Sequence, residues 1–335
     1  MAAGSTLGKF LLDSNWQMEV PRIFQVLKPS QSVLVAGCGG GYDITSGLPL
    51  YFNLTKQGKQ VHLANLSFSD IDGLTSTFYC SNCVKVDSHL KIKRQNPSYF
   101  PEYYLSRWFK EKWNEEVPIY AFAREIGVKE LTKAYNKIVA EHKIDAIVLV
   151  DGGTDSVTFG NEQLMGTPAE DHCSMAAVHG ASNVPVKLLA CLGFGVDSFH
   201  GVSHGLFLEN TAKLEQTGGY LGCFSISKSS PECKLYMEAY NAIAANMQAS
   251  IVCTSIISAL QGHFGDHHTT RRTGSSELFI NPLMGIYWTY QLDKVMEQIP
   301  YTPKLADTKS MNDVGKTIAD HHSKQEHRKR IQLPM

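Results

Sequence analysis

Short apolar runs that end in glycine alternate with longer stretches of helical period along the chain. SVLVAG at 32–37, QVHLANLS at 60–67, IDAIVLVDGG at 144–153 and VKLLACLGFG at 186–195 read as buried strands. Between them, ITSGLPLYFNLTKQG at 44–58 and VKELTKAYNKIVAEHK at 128–143 carry helical spacing, the first closing at Gly58. A further amphipathic helix is expected over 7–28, ending before Lys28-Pro29. The alanine-rich segment 234–262 reads as one long helix or a helix pair, and 277–299 as a short strand running into a closing helix. Strands that alternate with helices build parallel βαβ units. The expected fold class is therefore α/β, a Rossmann-like three-layer α/β/α sandwich around a mostly parallel sheet. No repeat of fixed period points to a solenoid or propeller. A single domain is expected over 1–300, with an aromatic-rich, lid-like insertion at about 69–118 and a polar C-terminal tail over 301–335.

Composition narrows the class. The chain has 335 residues, 43% hydrophobic and 19% charged, which suits a packed globular protein and not a disordered one. With 31 basic against 32 acidic residues and no basic stripe in its body, nucleic acid is not an expected partner. The one basic run, HRKR at 327–330, reads as a solvated end. There is no N-terminal signal-peptide core and no run of about twenty apolar residues for a membrane span. Eight cysteines are scattered through the chain, several inside apolar runs, which reads as reduced, buried thiols. The expectation is a cytoplasmic protein with no membrane partner.

Three strand ends share one pattern: VLVAGCGGGYDIT at 33–45, AIVLVDGGTDSV at 146–157 and LLACLGFGVDSF at 188–199. Each is an apolar strand, then glycines, then an aspartate. In a parallel sheet these turns open on one edge, where ligands bind at the reversal of strand order. The plain reading of each aspartate is helix N-capping. Asp151, however, lies at a strand–loop junction, too early to cap. Asp43, Asp151, Asp155 and Asp197 on one edge repel unless positive charge or a proton sits among them. A divalent cation such as magnesium, on Asp43, Asp151 and Asp155, is one resolution; a cationic substrate group is another.

Familiar motifs fail. G-x-G-x-x-G needs glycine at Tyr42 or Ile44, and the second strand supplies no acidic residue for a ribose, so NAD is disfavoured. No glycine cluster ends in the G-K-[ST] of a P-loop. The lone C-x-x-C at Cys80–Cys83 reads as structural. Cys38 is placed like a nucleophile, yet a small residue in a tight turn explains it more simply. His200 and His204 follow the third turn four residues apart, and share one face if that segment is helical. GHFGDHHTTRRTG at 262–274 offers His267 and Arg271 for acid/base work and anion binding, while His268 and Arg272 read as exposed loop residues. HCSMAAVH at 172–179 reads as an ordinary helical turn.

The first two glycine motifs, together with LGFGVDSFHG at 192–201, resemble the domain of unknown function 1152 family, known mainly from archaea with some eukaryotic members. Thr154 stands where that family's pattern favours glycine. The resemblance implies a Rossmann-like α/β fold and carries no established activity.

The leading expectation is an enzyme that acts on a small polar, anionic metabolite by hydrolysis, lyase or group-transfer chemistry. Asp151, Asp155, His200 and His204 are its candidate catalytic groups. Gly39, Gly40, Gly41, Asp43, Gly152, Gly153, Ser156, Asp197, His267 and Arg271 are its candidate binding groups. The alternative is a non-catalytic nucleotide or metabolite sensor, for which the same loops serve. An oligomeric structural protein is a third reading, and a homo-oligomer stays open.

Overall fold

The structure is a computed structural model that describes residues 20–75, 77–93, 97–274 and 277–331. Among the described residues, eight strands form one sheet: β1 (Ser32–Gly37), β2 (Gln60–Ser67), β3 (Cys83–Val86), β4 (Ile119–Ala123), β5 (Ala146–Asp151), β6 (Val186–Leu192), β7 (Tyr220–Ser225) and β8 (Ile286–Gln291). Their spatial order is β3-β4-β2-β1-β5-β6-β8-β7. The pairs β1–β2, β2–β4, β1–β5 and β5–β6 are parallel; β3, β7 and β8 are antiparallel to their neighbours. From β1 the chain moves outward through β2 to β4, then returns to lay β5 and β6 on the other side of β1. Strand order thus reverses between β1 and β5, which leaves a crevice beyond their carboxyl ends.

The central strands are apolar on both faces because helices cover both. In β1, Val33 and Val35 join one core while Leu34 and Ala36 join the other; in β5, Val148 and Val150 divide from Ile147 and Leu149 in the same way. The principal helices are α1 (Arg22–Leu27), α2 (Leu48–Lys56), α3 (Pro101–Trp113), α4 (Val128–His142), α5 (Pro168–His179), α6 (His204–Gln216), α7 (Pro231–Ala244), α8 (Ile251–Leu260), α9 (Leu292–Gln298) and α10 (Met311–His322). The first core takes α1, α2, α3, α7 and α8, and the second takes α4, α5, α6, α9 and α10, so the three-layer α/β/α sandwich stands. Among the described residues, no helix is long and apolar enough to cross a membrane.

Several local expectations change. The helix expected over 7–28 is described only as Arg22–Leu27, its first part lying outside the described residues. The helix over 44–58 is broken at Gly47, and 234–262 is a pair interrupted at 245–250. The stretch 69–118 is woven into the fold: it supplies edge strand β3 and helix α3, whose Leu105 and Phe109 are buried. Of the polar tail expected over 301–335, the described residues 301–331 include an ordered helix packed on the fold. A capping box of Ser310 and Asp313 starts α10, which buries Val314 and Ile318 one helical turn apart. Beyond it, Arg328 Nη2 donates to Glu162 Oε1 at 2.6 Å and to Asn210 Oδ1 at 2.8 Å. Apolar spacing and a buried charge partner overcome the polar composition.

Glu162 also accepts the backbone N–H groups of Phe159, Gly160 and Asn161. Arg328→Ala therefore removes the charge-assisted contact and leaves the carboxylate partly satisfied. The expected loss in unfolding free energy is about 1.5–3 kcal/mol, read by urea denaturation; an unchanged midpoint refutes the structural role of this segment.

Candidate functional site

Behind β1, Gly40 and Gly41 take φ of 91° and 58°, a left-handed pair that turns the chain back over the end of the strand. The turn brings Asp43 to two backbones at once. Its Oδ2 accepts the Gly39 N–H at 2.6 Å, and its Oδ1 accepts the Gly152 N–H at 3.2 Å, across the reversal point. Asp197, from the loop after β6, accepts the Thr154 N–H at 2.6 Å. Asp155 accepts the Thr167 N–H at 2.9 Å, just before α5. Asp151, at the end of β5, accepts the Ser156 hydroxyl at 2.5 Å and the Ser156 N–H at 3.3 Å. Asp43, Asp155 and Asp197 thus brace neighbouring loops, while Asp151 holds the short turn that follows its own strand.

The glycines admit these carboxylates. A Cβ on Gly153 would stand 2.5 Å from Asp197 Oδ2, one on Gly152 2.7 Å from Asp43 Oδ1, and one on Gly39 2.7 Å from Asp171 Oδ1. Asp171 is the acid that sequence reasoning passed over. It sits in the first turn of α5, immediately before the segment read as an ordinary helix, and acidic residues in a first turn are common enough to carry no message. Glu170 beside it also lines the crevice. His172, by contrast, has a structural task. Its Nδ1 lies 2.6 Å from the Tyr301 hydroxyl and its Nε2 3.3 Å from the Ser156 carbonyl, an arrangement for the neutral ring, and burial pushes its pKa down to about 4.

The crevice has a volume of about 470 Å³. Gly39, Gly40, Asp43, Asp151, Gly152 and Asp155 line it, together with Asp197 and His200. Tyr42, Tyr99 and Phe68 give it an aromatic wall, and the 245–250 break presents Gln248 and Ser250. Gly41, Gly153 and Ser156 support the site from behind: the Gly41 carbonyl accepts from Asn65 at 2.7 Å.

Three expected residues lie elsewhere. The turn Val196–His200 ends at Gly201, with φ of 89°, and α6 starts afresh at His204 under a Ser203 cap, so His200 and His204 share no helical face. His204 packs beneath Gly195 against Phe194, with rings 5.2 Å apart, outside the crevice. His267 stacks on His263 with ring centroids 3.8 Å apart. Arg271 and Arg272 lie in one 3₁₀ turn, where successive side chains diverge by about 120°. Arg272 reaches the crevice, donating to the Ala249 carbonyl at 2.9 Å, and Arg271 does not.

Electrostatics set the site's character. Burial, then the neighbouring carboxylates, hold Asp151, Asp171 and Asp197 well above the ordinary range. Asp155 is raised mainly by burial, opposed by its Thr167 hydrogen bonds and by the charge of His200. Burial raises Asp43 to about 7 against its backbone hydrogen bonds. Asp43, Asp151 and Asp171 each offer an oxygen within 4.8 Å of the others and are the residues able to hold a cation, so Asp171 takes the place expected of Asp155. Burial and the adjoining acids push the Cys38 thiol up, and Cys38 faces the Asp171 carbonyl at 3.7 Å. Cys80 and Cys83 close the turn into β3, and neither lines the crevice.

With this geometry in place, comparison with known proteins adds one result. The chain belongs to the DUF1152 family, described as protein of unknown function, whose model matches residues 80–328. The match takes in the second and third glycine turns, α5 and the C-terminal segment. No curated protein and no solved structure matches the chain.

Two measurements probe the frame of the site. Gly153→Ala forces a Cβ against Asp197 and should lower stability by about 1–3 kcal/mol in urea denaturation. Glu102 of α3 accepts from Asn65 at 2.7 Å and from Ser67 at 3.2 Å, bracing the Gly41 turn, and burial raises its pKa from 4.5 to about 7. An acid raised in the folded state contributes stability that is full below about pH 4.5 and lost as pH climbs through 7. Glu102→Gln should therefore gain on the parent between pH 5 and pH 7.5, by roughly 3 kcal/mol at most; parallel pH profiles refute the assignment.

Proposed function

We propose that the crevice is the active site of an enzyme that acts on a small polar, anionic metabolite by hydrolysis, lyase or group-transfer chemistry. The observation that carries this reading is the meeting of Asp151, Asp155 and His200 with Arg272 in one crevice at the reversal of strand order. Burial raises the Asp155 carboxyl above its ordinary range, a shift common at catalytic acids, and with His200 lining the same crevice this suits it to general acid/base work. Arg272 offers a planar donor set for a carboxylate or phosphate. The aromatic wall of Tyr42, Tyr99 and Phe68 takes the apolar body of the ligand. Glycine turns that lack a dinucleotide fingerprint argue against hydride transfer.

One observation favours the rival reading of a non-catalytic sensor. Asp43, Asp155 and Asp197 already spend oxygens on neighbouring loop amides, so part of the acidic set serves shape. A thermal-shift screen of phosphorylated and carboxylated metabolites, followed by mass spectrometry of each hit, separates the two. The enzyme reading expects product, with Asp155→Asn and His200→Asn each lowering turnover by about 10²-fold or more while the ligand-induced shift persists. Ligand shifts without product from any hit establish the sensor instead.

A further inference from the structure

We infer that the acidic half of the crevice is a binding site for a hard divalent cation of the magnesium class, held by Asp43, Asp151 and Asp171 with the Ser46 hydroxyl beside them. The inference deepens the enzyme reading and rests on the crevice being the functional site. Its donors come from three places that only the fold unites: the turn after β1, the last residue of β5 and the first turn of α5. One oxygen from each lies within 4.8 Å of the other two. Ligands of an octahedral ion at bond lengths of about 2.1–2.4 Å stand about 3.0–4.8 Å apart, so the three oxygens already bracket the space such an ion fills. The donor set is all oxygen, the preference of magnesium, manganese and calcium over zinc.

Two buried polar atoms point to a missing ligand. Ser46 is fully buried and lines the crevice, and its hydroxyl has no hydrogen-bond partner among the described residues. Ser46 Oγ and Asp43 Oδ1 crowd the same face of Gly152, 3.0 and 2.7 Å from where a Cβ would stand. Asp171, 3% exposed, likewise has Oδ1 without a hydrogen-bond partner among the described residues. Across Gly39 the carboxylates of Asp171 and Asp43 face each other, 2.7 and 3.0 Å from one virtual Cβ. Unpaired polar atoms at this depth are costly, and like charges this close are more so. A divalent ion meets both demands, accepting the carboxylates and the hydroxyl oxygen together. It also lets an acidic crevice take an anion, because an oxyanion can lie between the cation and Arg272, with water completing the coordination.

The test is a titration of the chelator-treated full chain with Mn²⁺, following free Mn²⁺ by electron paramagnetic resonance, with Mg²⁺ as competitor. Saturable binding that Mg²⁺ displaces is expected, weakened at least about tenfold in Asp171→Asn and less in Ser46→Ala. A folding defect is separable, because removing one of several mutually repelling buried acids should leave the metal-free melting temperature of Asp171→Asn equal to or above the parent's. In the same variant, the rise in melting temperature on adding Mg²⁺ should disappear. No saturable Mn²⁺ binding, or binding that Asp171→Asn leaves unchanged, overturns the site. So does a metabolite turned over at full rate in excess chelator, an outcome that leaves the enzyme reading standing. Cation binding without turnover of any metabolite supports the site and removes the enzyme.

Discussion

Carboxylate crowding at one sheet edge is the constraint around which this structure is arranged. Asp43, Asp151, Asp155, Asp171 and Asp197 all line a single crevice, and burial holds each above the ordinary carboxylate range. Gathering these acids in one place, with Glu170 beside them, costs folding free energy through desolvation and mutual repulsion. The loops can carry that cost because three of the acids double as cross-braces between neighbouring turns. Glycines are required beneath them, since a side chain at Gly39, Gly152 or Gly153 would occupy the volume of a carboxylate oxygen.

The rest of the molecule makes this edge rigid. The central strands are buried on both faces, so the strand ends that carry Asp43 and Asp151 have little freedom to separate. The Asn65 side chain ties Glu102 of α3 to the first turn, and His172 ties α5 to Ser156 and Tyr301. Arg328 and α10 close the second face, well away from the loops they support. Elements that read as insertion and tail are thus part of the frame that keeps the acids in register.

The crevice mixes charge and apolar surface, its carboxyls sharing the lining with Arg272, Tyr42, Tyr99, Phe68 and residues of the 245–250 break. At the first glycine turn, Asp43 accepts the Gly39 N–H and, across the reversal point, the Gly152 N–H.

The layered α/β fold, the parallel central strands and three of the converging turns follow from local pattern, because strand periodicity and glycine-to-aspartate junctions act over a few residues. Asp43, Asp151, Asp155, Asp197 and His200 were legible for that reason, each lying on or just after a strand that the chain itself marks. Asp171 was not, since an acid in a helix first turn looks the same whether or not the helix points at a crevice. The separation of His200 from His204 turns on where a 3₁₀ turn stops, at left-handed Gly201, and the exchange of Arg271 for Arg272 on which of two diverging side chains in a 3₁₀ turn reaches the crevice. The partnerless Ser46 hydroxyl is invisible in sequence altogether, because being unpaired is a property of the surroundings. Local chemistry therefore determined which residues stood at the strand ends. Only tertiary packing decided which of them face one another, because strand order at β1 and β5 and the docking of α5 bring together residues more than a hundred positions apart.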